Sequence, residues 1–457
     1  MLKEVLARFE AHAPVSVMTR VVLERAIEPT WVDEVFEAHR QRQYPREVLF
    51  STVVELVSLV SLGLRPSLHA AARKAEKLPV SLAALYEKVN RTEPAILRAL
   101  VSGSAERLAP VVQAMQPQPS LPGWRLRVLD GNHLPASDKR LAALRGVRGA
   151  ALPGHAVVVY DPDHALVCDI VACEDAYQSE RVAAAELIAQ AQPGQAWIGD
   201  RNFCTQALLS GLQARGACFI VREHAMHPRL HACGPWSHPV PIETGRVREQ
   251  SITLALTEQT PMPPAWRRIE IELNAATESG DTTIVLWSNL PREIEAATVA
   301  RLYRKRWRIE GMFGRLESVL HSEIKTLGHP RAALLGFAVA VLAYNVLSLL
   351  KAVTEQAHRA THPDLDVSTY HLTVEIASTY ESMRVILPAE HLPRADDDPP
   401  RLLQRLLSLA RRLNPKQLAT SKRGPKTRRT NAGYVSNSVA SSHVATGRVI
   451  KASDKRR

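Results

Sequence analysis

The 457-residue chain is predicted to be an α/β protein: a mixed sheet with helices on both faces, an all-α N-terminal domain before it and a β-rich insertion within it. Three observations predict this. Residues 1–115 show only helical signals, with apolar residues at i, i+3 and i+4 punctuated by Pro45, Gly63 and Pro66. From Trp124 the pattern changes to short alternating or continuous apolar runs that end in Asp or turn residues. Residues 224–281 are rich in Pro, His and Gly and hold only strand-like pieces.

In the helical stretch, residues 15–25, 30–40 and 47–62 read as helices, followed by two shorter ones at 67–77 and 81–90 joined by Leu78-Pro79-Val80. That pair has the length and turn of a helix-turn-helix, with Arg73, Lys74, Lys77, Lys88 and Arg91 as candidate phosphate contacts; a plain helical bundle is the alternative. Residues 116–123, with three prolines, read as a linker. Strands follow at 125–130, 156–160 and 165–173, then a helix at 179–191, a strand ending at Asp200, a helix at 205–216 and a strand at 218–222. The insertion contributes strands at 251–257 and 267–273, and residues 282–287 return to the sheet.

A long helix is predicted over 293–320. Residues 332–350 carry no charge and are long enough to span a bilayer, but Tyr344, Asn345, Ser348 and several alanines favour a buried core helix. Helices at 368–387 and 401–412 precede a Ser/Thr/Lys/Arg-rich tail from 413, predicted to be disordered in isolation. The domains expected are 1–115, 116–223, 224–281, 282–387 and 388–457.

The net charge of +12 suits a polyanionic partner. From Arg411 onward thirteen Lys and Arg face a single acid, Asp454, so the tail holds the whole excess and residues 1–410 are formally neutral. The five cysteines, Cys168, Cys173, Cys204, Cys218 and Cys233, are odd in number and read as small core residues in a reducing cytosol. His224, His227, His231, Cys233 and His238 lack the repeated spacing of a zinc site. Met1 opens a mixture of acids and bases without the apolar core of a signal peptide, which predicts a cytoplasmic protein with no membrane contact.

Three stretches carry chemistry. Residues 303–310 read Tyr-Arg-Lys-Arg-Trp-Arg-Ile-Glu, and on a helix at about 100° per residue Tyr303, Arg306 and Glu310 fall within an arc of roughly 60°. A carboxylate there can hold a metal, and the guanidinium and phenol beside it can hold a phosphate; a charged, solvated helix face is the alternative. Val128-Leu-Asp130 and Trp197-Ile-Gly-Asp200 each read as a strand delivering a carboxylate to its C-terminal end. Three converging carboxylates make an oxygen-rich site suited to Mg²⁺.

These segments resemble the DDE transposases of the insertion-sequence-four family. Tyr303, Arg306 and Glu310 match the register of that family's Tyr, Arg, Glu, Lys signature. Trp197-Ile-Gly-Asp200-Arg-Asn-Phe resembles its second-Asp motif, and Val128-Leu-Asp-Gly-Asn-His its first. The resemblance covers roughly residues 125–350 and implies a ribonuclease-H-like core with Asp130 and Asp200 on neighbouring strands and the β-rich insertion before the Glu. It implies that Asp130, Asp200 and Glu310 are catalytic metal ligands for two Mg²⁺ ions, with Mn²⁺ as substitute, and that Tyr303, Arg306 and Arg201 contact DNA, with Trp307 and Phe313 anchoring the helix. Among Trp236, Trp266 and Trp287, one is a candidate for stacking an unpaired base, and Trp287 is singled out.

The implied activity is cut-and-paste cleavage at terminal inverted repeats and strand transfer into target DNA, by a homodimer on double-stranded DNA in a bacterial, nucleoid-associated setting. One position departs from the pattern. The family Lys falls at Glu317, which leaves three readings: another cation serves, end binding is weakened, or the copy is impaired. A transposase-derived DNA-binding protein and a ribonuclease-H-like nuclease that cuts without joining are the rival functions.

Overall fold

The computed structural model describes residues 2–41, 43, 48–75, 78–226, 228–254, 265–277, 280–421 and 443–454. Among the described residues seven helices open the chain: α1 (Leu2–His12), α2 (Pro14–Ala26), α3 (Pro29–His39), α4 (Phe50–Ser61), α5 (Leu68–Lys74), α6 (Leu82–Arg91) and α7 (Pro94–Ala114). Prolines in the first turns of α2, α3 and α7 sit where their missing N–H costs nothing, and the Ser67 and Ser81 hydroxyls accept from the orphan N–H groups that open α5 and α6.

The α/β part runs β1 (Arg125–His133), β2 (Ala150–Leu152), β3 (His155–Asp161), β4 (Leu166–Cys173), α8 (Glu180–Ile188), β5 (Gln195–Gly199), α9 (Gln206–Ala214) and β6 (Cys218–Arg222). Next come β7 (Leu230–Cys233), β8 (Val240–Ile242), β9 (Gly245–Leu254), β10 (Ala265–Leu273) and β11 (Thr283–Ser288). After them lie α10 (Ala296–Tyr303), α11 (Trp307–Ser318), α12 (Pro330–His358), α13 (Thr369–Ile386), α14 (Pro399–Ala410), α15 (Pro415–Leu418), β12 (His443–Ala445) and α16 (Thr446–Asp454).

Apart from β2 and β12, which pair with each other, the described strands form one mixed sheet in the order β4-β3-β1-β5-β6-β11-β10-β9-β7, with β8 also on β9. β5 is parallel to both β1 and β6, and the other neighbours are antiparallel. Alternation along each strand gives the sheet two apolar faces. Leu129, Val157, Trp197 and Phe219 point to the face covered by α8 and α9. Leu126, Val128, Val158 and Ile198 point to the opposite face, where α7 and α12 lie.

The predicted mixed sheet with helices on both faces is therefore present, and the core helix expected at 332–350 is the centre of α12, whose most apolar stretch is 94% buried. Other expectations change. The insertion strands β9 and β10 extend the main sheet beyond β11; residues 255–257 of the strand expected at 251–257 lie outside the described residues. Helices α2, α4 and α7 share one apolar cluster with α12 and the sheet, so the first 115 residues do not enclose a separate core.

Lys88, expected at phosphate, is buried: its ammonium donates to the Val48 carbonyl and lies 4.7 Å from the centre of the Phe36 ring, and burial lowers its pKa. Lys77 lies outside the described residues. Of the five cysteines, Cys173, Cys204 and Cys218 are buried as predicted, whereas Cys233 is exposed. The tail is not unstructured throughout: Leu418 is buried beside an isolated bridge from Ala419 to Val367, and β12 pairs in parallel with β2.

Polar ties fix the helical layer to the sheet. Arg98 of α7 makes a bidentate pair with Asp169 of β4 at 2.9 and 2.7 Å. Asn345 of α12, fully buried, accepts from the Val167 N–H at 2.8 Å and donates to the Val167 carbonyl at 2.9 Å. It thereby satisfies both backbone groups of a residue next to the β3–β4 register shift. Asn345→Leu keeps the volume but strands both groups in an apolar core, and should cost about 2–5 kcal/mol of unfolding free energy. Denaturant unfolding with an unchanged midpoint would show that α12 is not tied to β4 through this side chain.

Candidate active site

The parallel register of β1 on β5 pairs Leu129 with Gly199, so Asp130 and Asp200, each one residue further on, stand at the same level; Asp200 follows the end of β5, whereas β1 continues past Asp130 to His133 against β3, beyond the strand end predicted at Asp130. Asp130 accepts from the Gly131 N–H at 2.9 Å. Asp200 caps a short 3₁₀ turn, Arg201–Phe203, by accepting from the Asn202 N–H. Such local donors hold both carboxylates in one orientation.

Glu310 reaches the site from the first turn of α11. The helix predicted over 293–320 is not continuous: α10 ends at Tyr303, residues 304–306 form a 3₁₀ turn, and α11 starts at Trp307. Arg306 is the hub of the site. One guanidinium nitrogen lies 3.2 Å from Asp130 Oδ2 and the other 2.7 Å from Glu310 Oε1.

The electrostatics follow from crowding. Burial is the largest influence on Asp130 and pushes its pKa up to about 6; Arg306 and the Gly131 N–H oppose the rise, while Asp200 and Glu310 add to it as like charges. The three carboxylates thus act on one another across the strand ends. Tyr303 is buried, not presented to solvent, and burial raises its phenol pKa while Arg306 and Arg222 oppose that rise.

The donor chemistry fits a hard divalent cation, since ionised carboxylates offer only oxygen acceptors. Among the described residues, however, no three His, Cys, Asp or Glu side chains are close enough to form a ready-made metal group. Arg306 stands between two of the carboxylates, and its buried Nε has no partner among the described residues. Guanidinium and metal would therefore compete for the same oxygens.

The remaining expected residues are placed as follows. Arg201 is exposed beside Asp200. Glu317 is exposed and makes no ion pair among the described residues; together with burial its charge raises the pKa of Glu323. Trp287 is 1% exposed, its ring 6.3 Å from that of the equally buried Trp266, so neither offers a face to a base. Trp236 keeps partial exposure and lies under Arg248 and Arg268 at 4.6 and 5.5 Å. Trp307 does not anchor the helix: it is 59% exposed and stacks on the Arg306 guanidinium at 5.3 Å. Ile309, Met312 and Leu316 are the buried anchors, with Phe313 half-buried against them.

The sequence reading missed Glu180, in the first turn of α8. It accepts from the Asn202 side chain at 2.6 Å, lies 3.8 Å from His133, and packs so tightly on Gly131 that a Cβ there would stand 2.0 Å from its carboxylate oxygen. Arg181 beside it donates to the Asn202 carbonyl at 2.8 Å. These two residues brace the turn that carries Asp200. The acid at a helix start was the visible signal, but its contact depends on where α8 docks.

Residues 125–346, just under half of the chain, match the family model described as the Transposase DDE domain. The match spans Asp130, Asp200 and Glu310, and it supports a DDE transposase, an enzyme of that class. A structure of the piggyBac transposase synaptic complex with hairpin DNA is similar to the chain at 10% identity and a TM-score of 0.38, covering 90% of this chain and 87% of that one. No curated protein matches the chain.

Because Arg306 is the cation that opposes the rise of the Asp130 pKa, Arg306→Gln should move the carboxyl titration of Asp130 above its midpoint of about 6. Carboxyl-carbon NMR without metal reads this directly. A midpoint that stays or falls would show that Arg306 is not the counter-ion.

Proposed function

We propose that the chain is the transposase of an insertion sequence of the insertion-sequence-four type, cutting DNA at terminal inverted repeats and joining the freed ends to target DNA. The observation that carries this reading is the juxtaposition of Asp130 and Asp200 on neighbouring parallel strands with Glu310 tied to Asp130 through Arg306. The inner strand order β4-β3-β1-β5-β6 supports the ribonuclease-H-like reading of the core.

Asp130, Asp200 and Glu310 would hold two divalent ions, Mg²⁺ with Mn²⁺ as substitute, which when bound lower the pKa of an attacking water or 3′-hydroxyl and stabilise the leaving oxygen. The protein's own share is positional. Arg306, released from one carboxylate, has a free donor edge for a phosphate oxygen, and exposed Arg201 presents a second guanidinium next to Asp200. Buried Tyr303 orients Arg306 rather than meeting DNA, a reading supported by the burial of its ring and its side-chain hydrogen bond with Arg306. The working form is a homodimer on double-stranded DNA, in the bacterial cytoplasm at the nucleoid.

A second reading, a relative that binds ends but cuts poorly, draws on Glu317. A carboxylate stands there where the family signature has Lys, and its neighbour Glu323 deepens the negative patch. One assay separates the readings: terminal-repeat DNA with Mg²⁺, scored for binding, cutting and strand joining.

Asp130→Asn, Asp200→Asn and Glu310→Gln should each abolish cutting while leaving DNA affinity within about twofold, because each removes a ligand from a site worth several kcal/mol to the transition state. Any of the three cutting at the wild-type rate would remove that residue from the site. Glu180→Ala should slow cutting by about tenfold or more through a displaced Asp200, with Glu180→Gln recovering most of it, since the amide oxygen can still accept from Asn202. Failure of the Gln variant to recover would mean that the Glu180 charge, not its position, is what matters.

A further inference from the structure

The connection between β1 and β3 leaves the strand that carries Asp130 and runs through residues 134–154. It carries Lys139, Arg140, Arg145 and Arg148 against one acid, Asp138, which is paired with Arg140 at 3.2 Å. Arg145 and Arg148 are exposed and make no ion pair among the described residues. The connection is not a loose loop. Its Asp138 N–H donates to the Lys325 carbonyl at 2.9 Å, Ser137 bonds to Ala151 at 2.9 Å, and Leu144 is fully buried.

The brace on this connection comes from the far end of the chain. β12 adds in parallel to β2, and α16 packs on the 3₁₀ turn Ala142–Leu144. Ala445 and Thr446 are buried there, and Gly447 sits where a Cβ would stand 2.6 Å from the Glu174 carbonyl oxygen. Arg448 locks the segment: its Nε lies 2.8 and 3.0 Å from the two Asp175 oxygens, and its guanidinium covers the Tyr177 ring at 5.2 Å. Lys451, one turn on, remains exposed.

The result is a fixed frame holding Arg145, Arg148 and Lys451 at the end of the sheet where Asp130 emerges. Holding unpaired like charges on one frame raises the free energy unless a polyanion relieves their repulsion. The frame also continues toward the helical layer: Arg140 acts electrostatically on Tyr86 of α6, and the exposed Arg73 and Lys74 lie on the neighbouring α5. We propose that the β1–β3 connection and α16 form one composite surface that binds the phosphate backbone of duplex DNA beside the active site, with Arg448 and Asp175 latching α16 in place. This rests on the DNA-processing reading of the site and extends it to the flank of the DNA.

The test is binding of a fluorescent duplex of arbitrary sequence, without terminal repeats or divalent metal, over a range of salt. Each charge that meets a phosphate contributes about 0.9 to the slope of log affinity against log salt. Arg145→Gln with Arg148→Gln should make the slope shallower by about two, and Lys451→Gln by about one, with melting temperatures unchanged. Arg448→Glu should release α16, so that adding Lys451→Gln to it changes the slope no further. A wild-type slope in the Arg145/Arg148 variant overturns the surface, and a full Lys451 effect in the Arg448→Glu background overturns the latch. Since no cutting is scored, failure here leaves the cleavage assay to stand by itself, and failure of that assay leaves this one intact.

Discussion

A helix that is apolar around its whole circumference must be enclosed, and α12 is enclosed from two sides. The sheet lies on one flank, and α2, α4, α6, α7 and α14 pack around it from the other. Its fully buried Asn345 then fixes register, because an amide that must satisfy both polar groups of Val167 cannot slide by a residue without leaving them bare. The segment just before α12 packs against the β1–β3 connection through the Asp138–Lys325 bond, so helix placement and site placement are one constraint.

Within that frame the active-site end is an electrostatic compromise. Asp130 and Glu310 flank a single guanidinium, Asp200 adds its like charge from the next strand, and burial leaves Asp130 poised at about 6 in spite of Arg306. Such an arrangement is unstable as a set of bare charges and becomes favourable with further positive charge, either from metal or from the protonation that the raised pKa describes. Arg306 satisfies two carboxylates at once, Glu310 one helical turn further along its own helix and Asp130 on β1.

The parts legible in the sequence were those set by local pattern. The strand end at Asp200, the periodicity of α8 and α9, and the uncharged run inside α12 all survive because a few adjacent residues specify them, whereas β1 runs three residues past Asp130, to His133, in its pairing with β3. What the sequence hid depends on docking. Lys88 looks like a surface cation until α6 packs its stem between Phe36 and Val48, and Trp307 looks like a core anchor but stands exposed over Arg306. Glu180 acquires meaning only when α8 is laid against Gly131. The tail reads as disordered by composition, yet residues 443–445 find a strand partner some three hundred residues upstream, a pairing that no window can see.

The central claim is that Asp130, Asp200 and Glu310 share one divalent-metal site, and the most direct measurement replaces the ion with Fe²⁺ and maps hydroxyl-radical cleavage of the protein backbone. The account predicts scission near residues 130, 200 and 310 together, suppressed by excess Mg²⁺ and lost at all three places in Asp200→Asn. Scission confined to one of them, or centred elsewhere in the chain, would contradict it.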